Sequence, residues 1–406
     1  MFKRIKNTGP GAMVAAAFIG PGTITTATLA GSSYGYTLLW AIVFSVFATY
    51  ILQEMSARLG VVGRVGIATA IKSKMTHPFL KILISVLVLG AILVGNIAYE
   101  AGNITGATMG FQSMIISING AQLNPLIFVI GIIAFALLYS GKYKLIEKSL
   151  VIMVSVMGLV FICSAILVQP DYLLILKGLM IPKMPKGAAI MVVGLIGTTV
   201  VPYNLFLHAA AVKEKWKGAE SLPDAKWDTL FSILLGGVIT MAILITSSAV
   251  FESNHVSAVN ASVLSSQLAP LLGDWSSTFM AIGFLAAGIS SSITAPLAAA
   301  TVTSEIFDWK KSWKSRNFRF IWLLVLVSGL LFSSLGFKPT TVILFAQVAN
   351  GLLLPIIAAF LLWVMNDKKI MGDNVNSLAV NILAGIVILI TVMLGLKGVL
   401  SAGGFI

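Results

Sequence analysis

Apolar residues run along this chain in long blocks, and the polar residues between the blocks are bunched. Eleven blocks of roughly 17–27 residues can be marked off, the length a helix needs to cross about 30 Å of hydrocarbon. They lie near 11–31, 36–58, 82–109, 125–141, 149–168, 188–211, 228–251, 277–301, 319–336, 341–365 and 375–396. Glycine, proline and charged residues mark the joins. The pattern predicts an all-α integral membrane protein with eleven transmembrane helices. Segment 171–187 is too short and charged to span and reads as an external loop. Segment 60–76 reads as a short amphipathic helix on the cytoplasmic side. No separate soluble domain is expected, so residues 1–406 form one transmembrane domain.

Composition agrees. The chain is 58% hydrophobic and 10% charged, with a mean hydropathy of +0.99. Soluble proteins average about 25% charged residues. The lone Cys163 excludes an internal disulfide and argues against a thiolate metal site. No cleavable leader pattern is visible, because the first apolar block is long and leads directly into a second. The net charge of +13 could point to nucleic acid, but its placement excludes that reading. With Lys3, Arg4 and Lys6 in the cytoplasm, the loops bearing Arg64, Lys72, Lys74, Lys142, Lys144, Lys148, Lys213, Lys215, Lys217, Lys310, Lys311, Lys314, Arg316, Lys368 and Lys369 also fall inside. Only Lys177, Lys183, Lys186, Lys338 and Lys397, five of the 27 basic residues, fall outside. The bias predicts a cytoplasmic N-terminus and an external C-terminus in a bacterial-type plasma (inner) membrane, with basic loops facing anionic lipid.

Two blocks are interrupted. The first, "AAFIGPGTITTATLAG", carries Gly20-Pro21-Gly22 at its centre with Thr23, Thr25, Thr26 and Thr28 after it. The sixth, "MVVGLIGTTVVPYNLFLHAAAV", breaks around Thr198 to Pro202. Non-helical backbone at membrane depth is tolerated where it is buried in protein or lines a polar cavity. Paired interruptions at matching positions of two halves point to an inverted-repeat secondary transporter. Two five-helix units follow, about 11–168 and 188–365, with an extra helix at about 375–396.

The same residues resemble the NRAMP family of metal transporters over nearly the whole chain. The resemblance rests on "GPGAMVAAAFIGPGTITTATLAGSSYGYTLLW", "QEMSARLG", "GTTVVPYNLFLHAA" and "LFAQVANGLLLPIIAAFLLWVMNDKKIMG". It implies the leucine-transporter-type fold, helices 1 and 6 broken, and alternating access. It also implies a site, and this chain departs from it. The family's first-helix motif is Asp-Pro-Gly-Asn; Gly20 and Thr23 replace its acidic and amide ligands. The family's sixth helix reads Ala-Thr-Val-Met-Pro-His-Asn; here it reads Thr198-Thr199-Val200-Val201-Pro202-Tyr203-Asn204, without the thioether or the neighbouring histidine. The third-helix acids of the family's proton path align with Asn96 and Tyr99, with Glu100 beside them. His208 matches a second family histidine, and Gln347 a tenth-helix glutamine that can join the site.

A thioether selects softer transition metals, and Val201 cannot. Without an aspartate at position 20, a bare divalent ion lacks its compensating charge. What remains is the helix N-terminus after Gly22, with free N–H groups and a positive dipole end. On this reasoning the site favours a small anion or oxyanion, such as bicarbonate or a small carboxylate, held by Gly20, Pro21, Gly22, Thr23, Thr26, Thr198, Thr199, Val201, Tyr203, Asn204 and Gln347. Asn96, Tyr99, Glu100 and His208 form the expected coupling or proton path for H⁺ or Na⁺, since intramembrane carboxylates are functional by default. Ser290, Ser291 and Ser292 can line the path or simply pack helices; His77 and His255 show no metal spacing. Two alternatives stay open: a divalent cation transporter (Mn²⁺ or Mg²⁺ type) of changed selectivity, with Glu100 giving charge, and a non-transporting receptor on the same fold. No enzyme, resident metal, cofactor or nucleic-acid partner is expected. The partners are a small ionic substrate and the bilayer.

Overall fold

Every apolar block forms helix in the computed structural model, which describes residues 9–75, 77–118, 121–141, 144–251, 261–309 and 313–402. The first block is two helices, α1 (Pro10–Phe18) and α2 (Pro21–Tyr34). Then come α3 (Leu39–Arg58), α4 (Pro78–Ala107), α5 (Leu126–Ser140) and α6 (Lys144–Leu167). The sixth block is again two helices, α7 (Ala189–Thr199) and α8 (Pro202–Lys215). The chain continues through α9 (Leu222–Phe251), α10 (Ser276–Ile306), α11 (Arg316–Ser333), α12 (Pro339–Met365) and α13 (Leu378–Ala402). Among the described residues, eight helices are long and apolar enough to cross a membrane, or up to nine if one bent pair counts as a span. The break shortens α1, and α5 has only 15 residues.

The molecule is apolar outside and holds a set of polar side chains inside an otherwise apolar core. Along α13, Ile382, Ile386, Leu389, Met393 and Leu396 form an exposed stripe, while Ala384, Val387 and Thr391 face inward. In water such a stripe would cost about 25 cal/mol per Å²; against lipid tails it does not. Conversely Thr23, Asn96, Glu100, Thr198, Asn204, His208 and Gln347 are at most 1% exposed. The chain is an integral membrane protein.

Two segments differ from expectation. Segment 171–187 contains a helix, Tyr172–Met180, sharply bent (120°) from the end of α6. Asp171 starts it by accepting the N–H groups of Leu173 and Leu174 at 2.8 and 3.0 Å, the usual work of an N-cap aspartate. A small antiparallel hairpin, β1 (Ile116–Ile118) with β2 (Ala121–Leu123), also follows α4, a minor exception to the all-α expectation. Segment 60–76 keeps a short helix, Ile67–Ser73.

One end of the bundle is tied together by polar links. Arg58 donates to the Asn374 carbonyl at 2.8 Å and to Glu54 at 3.1 Å, Lys226 pairs with Glu54 at 3.0 Å, and Lys72 pairs with Asp308. The same end holds the start of α1. The Asp228 carboxylate of α9 accepts the N–H of Gly9 at 3.0 Å and of Gly11 at 2.7 Å. The carboxylate therefore caps α1 from another helix, where the positive dipole end favours it, and fastens α1 shut against the bundle.

Candidate functional site

Both breaks are built the same way. Gly20 is extended backbone (φ −110°, ψ −174°), and Pro21 opens α2 at its first position. Val201 is likewise extended (φ −79°, ψ 120°), and Pro202 opens α8. Proline suits a first helical position because its fixed φ fits and the N–H it lacks would be unpaired there anyway. Neither proline contributes a donor, so each new helix presents fewer free N–H groups than an ordinary N-terminus. The preceding helices end at the same places: α1 at Phe18 and α7 at Thr199. Their last carbonyls lack helical partners, so negative helix ends meet positive ones at both breaks.

Side chains join the two breaks. The hydroxyls of Thr23 and Thr198 lie 2.7 Å apart. Gln347 of α12 reaches between them. Its side-chain amide lies where a Cβ on Gly22 would be, and its main-chain carbonyl abuts Gly197. Ser291 of α10 has its Oγ 3.2 Å from where a Cβ on Gly20 would stand. Tyr99 of α4 donates to the Ala17 carbonyl at 3.2 Å and meets the Tyr203 ring edge-on at 5.4 Å. Asn204 sits in the first turn of α8. Both of its amide atoms, Gln347 Oε1 and Ser291 Oγ are buried without a hydrogen-bond partner among the described residues. Buried polar groups are ordinarily paired, so an unpaired set around two breaks is a ligand-shaped feature.

Other expected residues point elsewhere. Thr199 gives its hydroxyl back to the Leu195 carbonyl at 3.0 Å. Thr26 has an unpartnered hydroxyl and faces Gly194 of α7. Thr25 donates to the Met109 sulfur at 3.8 Å, and Thr28 accepts from Gln267 at 2.9 Å. His208 lies about 9 Å along α8 from Pro202 at 1.5 Å per residue, and its Nδ1 bonds Gln53 of α3 at 2.8 Å. Asn96, with an unpartnered Nδ2, lies on α4. Gly22 does not leave open backbone for a ligand as expected, because Gln347 already covers it. His255 lies outside the described residues. Asp228 was not singled out in the sequence; its one signal is an acidic residue at the mouth of an apolar block. A crevice of 520 Å³ lined by Tyr34, Lys177 and Lys183 opens about 16 Å along α2 from the break, so it is not this site.

A membrane-embedded helical bundle whose two broken helices meet around buried, unpaired oxygens has the architecture of a secondary transporter of the leucine-transporter type. The chain belongs to the Nramp family: the model for "Natural resistance-associated macrophage protein-like" proteins matches residues 11–401. It is a membrane transporter and not an enzyme. It is similar to the divalent metal cation transporter MntH of Bacillus subtilis, 25% identical over 393 residues, 95% of this chain and 90% of that one. Its fold matches a crystal structure of the Eremococcus coleocola manganese transporter, with a TM-score of 0.73 and 24% identity over 97% of this chain and 86% of that one. The fold also matches Mhp1, a nucleobase-cation-symport-1 family transporter. There the TM-score is 0.59 and the identity 15%, over 97% of this chain and 92% of that one.

Proposed function

We propose that the protein carries a hard divalent cation, of Mg²⁺ or Mn²⁺ type, bound with part of its hydration shell by uncharged oxygens at the two helix breaks. The observation that carries this reading is the bridged pair Thr23–Thr198 with the unpartnered oxygens of Asn204, Gln347 and Ser291 around it. Hydroxyl, amide and carbonyl oxygens suit hard cations, and no thioether is present to favour softer ones. A partly hydrated ion needs fewer protein ligands, and Mg²⁺ in particular dehydrates reluctantly. Compensating charge comes from Glu100, one residue beyond Tyr99. The relatives named for divalent metal and manganese transport support the cation. We infer further that the site residues act as two five-helix repeats moving about the breaks, and that the N-terminus is cytoplasmic in a bacterial-type plasma membrane.

The small-anion reading takes second place. It rested on free N–H donors at α2 and open backbone at Gly22. Prolines begin both second halves, Gln347 covers Gly22, and carbonyl-bearing helix ends share the gap. Nothing in the family comparison favours it, nor the receptor reading.

Asn204→Leu separates binding from folding. The amide makes no hydrogen bond among the described residues, so replacing it with an apolar group of similar size removes a desolvated polar group and no hydrogen bond. Thermal stability should be unchanged or raised. Divalent-ion affinity, followed by calorimetric titration of the purified protein with Mg²⁺ and Mn²⁺, should fall by about tenfold or more, or about 1.4 kcal/mol. Wild-type affinity in the variant would contradict the assignment.

A further inference from the structure

Glu100 is fully buried in the last third of α4, and neither carboxylate oxygen has a hydrogen-bond partner among the described residues. Its polar neighbours are Ser292 of α10 and Asn103, one turn further along α4. Ser292 Oγ and Asn103 Nδ2 are also buried and unpartnered. The third wall is α11, where Gly329 packs so closely on the Glu100 side chain that a Cβ there would collide with it. Three helices therefore enclose one carboxylate, one hydroxyl and one amide nitrogen, close to one another but short of hydrogen-bond geometry among the described residues. Among the described residues, no lysine, arginine or histidine is paired with the carboxylate in this pocket.

We propose that Glu100 and Ser292, with Asn103 beside them, form a second ion site that takes an alkali cation, Na⁺ by preference, and exchanges it against the divalent substrate. An uncompensated buried carboxylate is not sustainable, so the pocket must receive positive charge. A monovalent ion balances the single negative charge, and oxygen ligands from the Glu100 carboxylate and the Ser292 hydroxyl suit it, with Asn103 Nδ2 left to donate to the carboxylate. A proton would also neutralise the carboxylate, and proton release on divalent binding tells that case from Na⁺.

The exchange follows from adjacency. Tyr99 and Glu100 are consecutive on α4, and Ser291 and Ser292 are consecutive on α10. Tyr99 and Ser291 face the break at Ala17 and Gly20; Glu100 and Ser292 face the second pocket. One carboxylate thus serves two sites. With Na⁺ on it, the break region loses its compensating charge and the divalent ion binds weakly. When the divalent ion binds, Na⁺ is released. Such coupling is reciprocal by thermodynamic necessity. This step rests on the divalent reading above; the Na⁺ site itself does not.

The test is equilibrium ²²Na⁺ binding to the purified full-length protein without divalent ions, followed by displacement with Mg²⁺ or Mn²⁺. Wild type should bind Na⁺ saturably and release it as the divalent ion is added. Glu100→Gln should lose Na⁺ binding, and its divalent affinity should become weak and insensitive to Na⁺. Ser292→Ala, a milder change that keeps the charge, should weaken Na⁺ by about tenfold and leave the fold intact. Absence of saturable Na⁺ binding, or Na⁺ binding retained in Glu100→Gln, overturns the site. Divalent binding that releases protons and ignores Na⁺ overturns it as well. Saturable Na⁺ binding that needs Glu100, in a protein that binds no divalent ion, leaves the Na⁺ site standing and overturns the exchange together with the divalent reading.

Discussion

Gly20→Asp should tighten divalent-cation binding by about tenfold to 100-fold, or about 1.4–2.7 kcal/mol. The backbone at Gly20 is ordinary extended chain, so an L-residue adopts it without backbone strain, and the Ser291 hydroxyl need shift only by a few tenths of an ångström. A Cβ there would stand 3.2 Å from Ser291 Oγ and 3.8 Å from the Tyr99 hydroxyl, two groups able to donate to a carboxylate. Two unit charges 4 Å apart attract by about 4 kcal/mol at an effective dielectric of 20, and the expected gain is what remains after the cost of burying the carboxylate. Without metal that cost is exposed, so the variant should be less stable alone and more strongly stabilised by Mg²⁺ or Mn²⁺ than wild type. Thermal unfolding in detergent with and without each ion reads both effects. Because Val201 brings no sulfur, the preference between Mn²⁺ and Mg²⁺ should change little. If the variant instead loses binding of a small anion and gains nothing for metals, the cation assignment is wrong.

The second large effect is on the scaffold. Gly197→Ala should lower the unfolding temperature by about 5 °C, corresponding to about 3 kcal/mol of overpacking, and should disable transport in whatever protein still folds. The α7 backbone meets α12 face to face at this point. A Cβ on Gly197 would run into the Gln347 carbonyl, and one on Gly351 would stand 2.6 Å from the Val193 carbonyl. Backbone contact of this kind is how small residues pack membrane helices. Backbone cannot step aside as a flexible side chain can, and the displaced segment carries Thr198 and Gln347 together. An alanine variant with unchanged unfolding temperature and uptake would show that the two helices do not meet this closely.

The apolar blocks made the helices legible, because length and hydropathy alone decide whether a segment suits a bilayer. The breaks were legible too, since Gly20-Pro21-Gly22 and Val201-Pro202 have few other uses inside a membrane helix. Side-chain direction was not. Thr23, Thr25, Thr26 and Thr28 look alike in the sequence, yet successive helical residues turn by about 100°. Only Thr23 reaches the other break, while Thr25 and Thr28 serve Met109 and Gln267. Thr199 sits beside Thr198 and bonds its own helix. The Asp228 cap on α1 joins residues 217 and 219 apart, and no local pattern announces such a contact. Charge and shortness place segment 171–187 in a loop, and the Tyr172–Met180 helix within it is started by the Asp171 side chain. The small-anion reading weighs one helix N-terminus without the helix C-termini and the Gln347 amide that share its space.

The charge of the cargo sets the two readings of the site apart. The most direct test is flux into proteoliposomes containing the purified protein, measured in parallel for Mg²⁺, Mn²⁺ and labelled bicarbonate. Saturable divalent-ion flux that Asn204→Leu abolishes, with no bicarbonate flux above protein-free vesicles, is the predicted result. Saturable bicarbonate flux with neither metal crossing would contradict it and would mean that the free N–H groups of α2 outweigh the oxygens gathered around them.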